Sequence, residues 1–350
     1  MSRRLPHEGE AQDGVLLAWP HPDGDWAPYL EAAEAEFTAL ALAITAYERL
    51  LILCRDPQHE RHIRERLTPG LEHPQRLQFH HLDYHDTWVR DYGPLSVYRD
   101  GRPLLVDFRF DGWGGKYPAR ADDAVSRSLY EMGAFAAGLE LERHDWVLEG
   151  GAVESDGQGT LLLNAPCILD PRRNPGLTRE EAEARLPPIF GAQRIHWLEI
   201  PPLQGDDTDG HIDTLARFAD PTTLLHSSVD DPRHPDRATL AELERALRRL
   251  SRPDGGAYRL IPLPLPHPMH DAGRPLPANY ANFLLLPEVV LVPQYGDRER
   301  DILALERIAT AFPGRAVAGI PSATLIRQNG SLHCLTMQLA RGTLPPCPAE

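Results

Sequence analysis

Lysine is almost missing from these 350 residues: Lys116 is the only one, and arginine supplies the rest of the permanent positive charge. Pyridoxal or other Schiff-base chemistry would fall to Lys116 alone. A phosphate-binding P-loop would need it too, but Tyr117 follows it and Phe110 stands where the first loop glycine belongs. Both classes are excluded. Cysteine is scarce as well. Cys54, Cys167, Cys334 and Cys347 are scattered, with no Cys-x-x-Cys pair and no dense disulfide framework, so a reducing, cytoplasmic setting is expected. No apolar run approaches the roughly 18 residues of a membrane span. The start, Met1-Ser2-Arg3-Arg4-Leu5-Pro6-His7-Glu8, turns polar and acidic without the apolar centre of a secretory signal. Positive charge is in deficit too. Lys and Arg number 36 against 51 Asp and Glu, a net charge of −15. That balance argues against nucleic acid or anionic lipid as a partner and favours a small cationic molecule.

The rest is ordinary globular composition, with 42% hydrophobic and 25% charged residues, so disorder is not expected over most of the length. Short apolar runs ending at Gly, Pro or Asp predict strands at Val15–Trp19, Leu50–Cys54, Leu77–His81, Leu104–Phe110, Thr160–Asn164, Ile195–Ile200, Leu215–Phe218, Thr223–His226, Phe283–Leu286, Val289–Gln294 and Ala316–Ile320. Apolar positions spaced three and four apart predict helices at Tyr29–Tyr47, His59–Leu67, Ala121–Ala137, Thr178–Ile189, Asp236–Leu250 and Arg298–Ala311. Thr178 and Glu181 form a capping-box pattern. After the first helix pair, one helix recurs in each stretch of about 55–65 residues, a period expected of a repeated β/α module. No linker or charge block divides the chain. One α/β domain of about five modules over 1–350 is therefore expected, in preference to two domains.

Polar residues concentrate in four places. The first, Asp86-Thr87-Trp88-Val89-Arg90-Asp91-Tyr92-Gly93-Pro94, is either a well-tied turn or part of a site. In the second, Glu149 follows an apolar run and precedes Gly150-Gly151. A buried carboxylate there needs a partner, and a solvated loop residue is the alternative. In the third, His211 and Asp213 are two apart, on one face of an extended segment. Such a pair can bind metal, form an acid/base dyad or simply hydrogen-bond. The fourth, Gln328-Asn329-Gly330-Ser331-Leu332-His333-Cys334-Leu335-Thr336, sets a cysteine in a polar loop, where a nearby cation or helix end can yield thiolate. A lone cysteine is otherwise an inert core residue.

Taken together, Asp86-Thr87-Trp88-Val89-Arg90-Asp91-x-Gly93-Pro94, Glu149-Gly150-Gly151, Gly210-His211-Ile212-Asp213 and Leu332-His333-Cys334-Leu335-Thr336 resemble the four signature blocks of the agmatine deiminase / bacterial-type peptidylarginine deiminase family, in the guanidine-modifying (pentein) superfamily. Leu17-Ala18-Trp19-Pro20, Phe110-x-x-Trp113-Gly114-Gly115-Lys116, Asn174-Pro175, Asn282-Phe283 and Val292-Pro293-Gln294 match between them, so the resemblance spans about 15–340. It implies a five-bladed α/β propeller with pseudo-five-fold symmetry. It also implies a deiminase acting on linear amidines, with no metal and no organic cofactor. Asp91 and Asp213 would hold a guanidinium, whose planar fork of N–H donors suits paired carboxylates. Cys334 would attack its carbon, His211 would serve as acid and then base, and Glu149 would orient His211. Trp88 and Trp113 would wall the pocket, or else simply pack. The chain departs from the family at Arg327-Gln328-Asn329-Gly330-Ser331, where a run of glycines is usual, which should reshape the pocket beside the nucleophile. The expected reaction converts agmatine and water to N-carbamoylputrescine and ammonia in putrescine synthesis. Deimination of peptidylarginine or another guanidine is the alternative, and homo-oligomerisation is left open. Two further readings are a metal-dependent hydrolase using His81, Asp83 and His85, and a non-catalytic guanidine binder.

Overall fold

Leucine- and valine-rich runs that stop at polar turns form strands, and Leu50–Cys54, Leu77–His81, Thr160–Asn164 and Val289–Gln294 lie where the sequence places them. The computed structural model describes residues 2–346, so Cys347 lies outside the described residues. Five sheets share one build: a first strand runs antiparallel to a second, and the second runs parallel to a third. The first sheet orders Leu95–Arg99, Arg102–Arg109 and Leu141–Val147 in this way, with Arg3–Arg4 on its edge. The next two are Val153–Ser155, Thr160–Asn164 and Arg194–Leu198, then Ala216–Asp220, Thr223–Ser228 and Arg259–Pro264. Leu284–Leu285, Val289–Gln294 and Ala316–Pro321 make the fourth. The fifth joins the two ends of the chain: Thr336–Ala340 pairs with Gln12–Ala18, which continues to Leu50–Cys54 and Leu77–His81. A separate hairpin, Met269–Asp271 with Arg274–Leu276, stands outside this scheme.

Parallel neighbours need a crossover, and helices supply it: Leu30–Thr45, Pro57–Leu67, Val125–Glu131, Arg179–Phe190, Arg237–Arg249 and Arg298–Ala311. Thr178 and Glu181 close the expected capping box, and Gly191 ends that helix in the left-handed region at φ 69°. Three expectations need correction. His211 and Asp213 do not share an extended segment: His211 caps the helical turn Ile212–Leu215, and Asp213 lies within it. The helix expected over Ala121–Ala137 is only Val125–Glu131, entered by a 3-10 turn at Asp122–Ala124 and stopped before Gly133, whose φ is 73°. Arg259–Pro264, which contains Pro262 and Pro264, is not among the expected strands. It forms one at a sheet edge, where a missing N–H is tolerated. No helix among the described residues is long and apolar enough to cross a membrane.

Candidate active site

In every one of the five sheets, a chemically able side chain sits just ahead of the short first strand. Asp91 precedes Leu95–Arg99, Glu149 precedes Val153–Ser155, and His211 and Asp213 precede Ala216–Asp220. Asn282 precedes Leu284–Leu285, and Cys334 precedes Thr336–Ala340. The five expected catalytic residues are all buried and converge. Gly151 marks the point of convergence. A Cβ on it would lie 2.6 Å from His211 Nδ1, 2.9 Å from Asp91 Oδ1 and 3.0 Å from Asp213 Oδ2, so only glycine fits.

Cys334 Sγ lies 3.5 Å from Asp213 Oδ2 and accepts a hydrogen bond from Asn282 Nδ2 at 3.0 Å. Burial, then the charges of Asp213 and Asp91, push its thiol well above the ordinary range. Asp91 accepts from Trp113 Nε1 at 2.9 Å and from the Gly151 amide at 3.0 Å. Burial raises its pKa, with Asp213 and Glu149 adding to the effect. Asp213 behaves oppositely. Burial works against ionisation, but His333, whose Nδ1 is 2.8 Å away, together with the charges of His211 and Arg217, holds this carboxyl below its usual range. Its Oδ1 is buried and has no partner.

His211 is fully buried, 3.6 Å from Asp91 Oδ1 through Nδ1 and 3.9 Å from Glu149 Oε2 through Nε2. Neither nitrogen makes a hydrogen bond, so Glu149 acts on this ring through its charge across a gap. Burial favours the neutral imidazole, yet Asp91, Glu149 and Asp213 outweigh it and raise the pKa. A buried ring of raised pKa whose nitrogens have no hydrogen-bond partner is able to give up a proton and take one back.

Three residues that the sequence reading did not single out complete the site. Arg173, fully buried, donates from Nε to Glu149 Oε1 at 2.6 Å and from Nη1 to Asp209 Oδ2 at 2.7 Å. It supplies the partner that a buried Glu149 requires. Asn282 donates to both Cys334 Sγ and Asp213 Oδ2, the latter at 3.2 Å. His333 links Asp213 to Glu8. Arg173 adjoins the Asn174-Pro175 match, and Asn282 and His333 lie inside matched blocks. Their polarity alone could have drawn attention to them.

A narrow cavity leads from Asp91 and Cys334 to the surface. Trp88, Trp113, Tyr117, Thr208, Asp25, Asp86, Asp207, Gln328, Asn329 and Gly330 complete its lining. Trp88 packs on Trp26, with ring centroids 5.8 Å apart, and Gly330 lies so close to Trp88 that a Cβ would be 2.3 Å from its ring. Trp113 sits in the left-handed region at φ 57°, an unfavourable place for a bulky residue, held there with its indole N–H on Asp91. Burial and the charges of Asp122, Asp25 and Asp207 push Asp86 up to about 8, although the Thr87 amide opposes the rise. The three residues of the metal reading do not converge. His81 pairs with Glu60 at 2.6 Å, and Asp83 is exposed and lies 3.5 Å from Arg55. Among the described residues, one group of His, Cys, Asp or Glu has its ligand atoms within 4.8 Å of one another, Cys54 with Glu60 and His81. Burial pushes that thiol up to about 12.

The sequence matches the model of the Porphyromonas-type peptidyl-arginine deiminase family over residues 4–340. A Vibrio parahaemolyticus protein provisionally named an agmatine deiminase is 30% identical over 359 residues, covering 96% of each chain. The crystal structure of a provisionally named arginine deiminase from Porphyromonas gingivalis superposes with a TM-score of 0.91 at 42% identity, covering 98% of this chain and all of that one. A cysteine-to-serine variant of C. jejuni agmatine deiminase with substrate bound superposes with a TM-score of 0.89 at 31% identity, covering 98% and 97%. The likeness runs the length of both chains, in a single-domain α/β fold. By its matched sequence and by that fold, the chain belongs to the Porphyromonas-type peptidyl-arginine deiminase family of hydrolases.

Proposed function

We propose that the protein is a cytoplasmic guanidine deiminase whose substrate is agmatine, converted with water to N-carbamoylputrescine and ammonia. The observation that carries the choice of substrate is the wall of the cavity: the Asp25 and Asp207 carboxylates line it, beside an Asp86 whose carboxyl is pushed up to about 8, and no Arg, Lys or His does. A substrate with a cation at each end finds carboxylates for both. The α-carboxylate of free arginine would face like charge, which costs binding energy. Gln328 and Asn329 favour a short tail. Gln328 donates to the Asp25 carbonyl at 2.9 Å and to the Tyr29 hydroxyl, and Asn329 Nδ2 donates to Asp207 Oδ2 at 2.8 Å, so the loop is tied across the mouth.

The residues take the following roles in this reading. Asp91 and Asp213 hold the guanidinium, and Trp88 and Trp113 flank it. Its positive charge offsets both carboxylates, so the Cys334 thiol releases its proton to solvent when substrate docks. The thiolate attacks the central carbon, His211 protonates the departing nitrogen, and ammonia leaves an amidino thioether on Cys334. His211 then takes a proton from water. The hydroxide adds to the same carbon and the thiolate departs, leaving a ureido group. Glu149, fixed by Arg173, stabilises the cationic form of His211 throughout. No step calls for a metal or an organic cofactor. The five like-built sheets fit a five-bladed propeller of the pentein type, with one catalytic domain over 1–350 and the site where the first strands begin.

The test is release of ammonia and ureido product from agmatine, free arginine and a blocked arginyl peptide, run side by side without added metal. Turnover of agmatine well above the other two is expected. Preference for the peptide or for arginine would keep the mechanism and overturn the substrate.

A further inference from the structure

Glu8 belongs to none of the four motifs, yet its side chain meets His333, the residue before Cys334. His333, next to Cys334 in the chain, is buried with both ring nitrogens on carboxylates. Nδ1 is 2.8 Å from Asp213 Oδ2, and Nε2 is 2.8 Å and 3.1 Å from the two Glu8 oxygens. A neutral imidazole has one N–H and one lone pair, and a lone pair aimed at a carboxylate is repelled. Only the doubly protonated ring makes both contacts favourable. The same Asp213 Oδ2 faces Cys334 Sγ at 3.5 Å. Four groups thus stand in line: Glu8, His333, Asp213 and Cys334.

We infer that Glu8 is a positioning residue for the reaction: it keeps His333 an imidazolium, which offsets part of the Asp213 charge and lets the neighbouring Cys334 thiol ionise. The inference rests on the reading of Cys334 as nucleophile. Glu8 is itself kept ionised by its surroundings. Arg90 Nη1 is 3.0 Å from Oε1, while Arg217 Nη2 and Gln338 Nε2 donate to Oε2, the latter at 3.0 Å. Glu154 takes the Nε of Arg217 at 2.7 Å. Asp213 Oδ2 also accepts from Asn282, and the charge of His211 acts on the same carboxylate. If Glu8 merely neutralised Arg90 and Arg217, its loss would lower stability and leave the chemistry of Cys334 unchanged.

The experiment uses full-length Glu8→Gln, which keeps the shape and removes the charge, beside Glu8→Asp and Cys334→Ser. It follows agmatine turnover, the pH dependence of Cys334 alkylation, and the ring ¹⁵N signals of histidine-labelled protein. For Glu8→Gln the expected loss in kcat is on the order of ten- to a hundredfold, the worth of a charged hydrogen bond, with KM little changed. Its alkylation profile should move up by about one pH unit, the counterpart of a tenfold change. Glu8→Asp should recover part of both. In the wild type at pH 7 both His333 nitrogens should carry protons, and in Glu8→Gln one should not. A folded Glu8→Gln with wild-type kcat and profile, beside an inactive Cys334→Ser, overturns this inference alone. Turnover by Cys334→Ser overturns the nucleophile and this inference with it. Were Glu8→Gln not to fold, a neutral His333 ring in the wild type would still overturn it and a doubly protonated one would support it.

Discussion

Two carboxylates and a dry environment make the Cys334 sulfur a poor place for negative charge, until a cation arrives between them. A cationic alkylating agent such as chloroacetamidine should therefore inactivate the protein far faster than neutral iodoacetamide at neutral pH. A two-unit fall in the thiol pKa is worth about a hundredfold in thiolate, and the ratio of inactivation rates reads it directly. Equal rates would mean that the sulfur is already ionised without substrate. Cys334→Ser should lose on the order of 10⁴-fold or more in turnover while binding agmatine with little change by calorimetry, because Asp91 and Asp213, the proposed guanidinium partners, are untouched. Arg173 has a different task. It is the cation on which buried Glu149 depends, so Arg173→Met should cost about 3–5 kcal/mol in urea denaturation, the usual result of stranding one member of a buried pair. These residues were unequally legible. Asp91, Glu149, His211, Asp213 and Cys334 sit in local motifs with distinctive neighbours. Glu8 and Arg173 matter through contacts that cross the chain, from Glu8 to His333 and from Arg173 to Glu149 and Asp209, and the Asn174-Pro175 match beside Arg173 does not reveal those partners.

Elements set what reaches the sulfur. The 3-10 turn Leu325–Gln328 and the residues after it hang over the cavity, braced from behind by Arg274 of the hairpin, which donates to Asn329 Oδ1 and to the Arg327 carbonyl. Asn329 takes the left-handed φ of 69°, a conformation open to glycine without strain. Gln328→Gly with Asn329→Gly should therefore fold, release the ties to Asp25, Tyr29 and Asp207, and admit longer substrates. Its kcat/KM for a blocked arginyl peptide should rise on the order of tenfold relative to agmatine, the effect of one or two lost polar contacts. No change in the ratio would mean that the loop does not select for length. At this scale the sequence was readable wherever one signal dominated. Arg298–Ala311 and Thr160–Asn164 have the bounds that periodicity predicts. Leu141–Val147 is not among the predicted strands, and its Glu142, Arg143, His144 and Asp145 carry no apolar run. The parallel pairing with Arg102–Arg109 makes it a strand, and tertiary pairing outweighs local propensity there.

For the whole molecule, charge and burial set the response to pH. Glu48, Asp122 and Glu154 are pushed up to about 7 and Asp86 to about 8, in each case first by burial. A folded pKa above the unfolded one means that the native state holds protons the unfolded chain has released, so stability falls as pH rises through that window. His211, with its raised pKa, acts in the same direction. Buried histidines of lowered pKa, such as His59, His80 and His226, act oppositely but only below about 6.5, the ordinary histidine value. The melting temperature should therefore fall between about pH 6.5 and 8.5, in which range the carboxyls act unopposed. A Tm that rises across that range would contradict these burial effects. The ends of the chain meet in one sheet, Thr336–Ala340 on Gln12–Ala18, next to Cys334 and just beyond Glu8. The repeat of one helix per module was visible in the spacing. That the last strand closes back on the first long one was not, since strand order depends on pairing between segments more than 300 residues apart.

The measurement that bears most directly on the account is mass spectrometry of the Cys334 peptide from protein quenched during agmatine turnover. The account predicts an amidino-thioether adduct on Cys334, equal to agmatine less ammonia, which forms with substrate and disappears as substrate is used up. Turnover with Cys334 unmodified at every time point, or with the adduct on another residue, would contradict it.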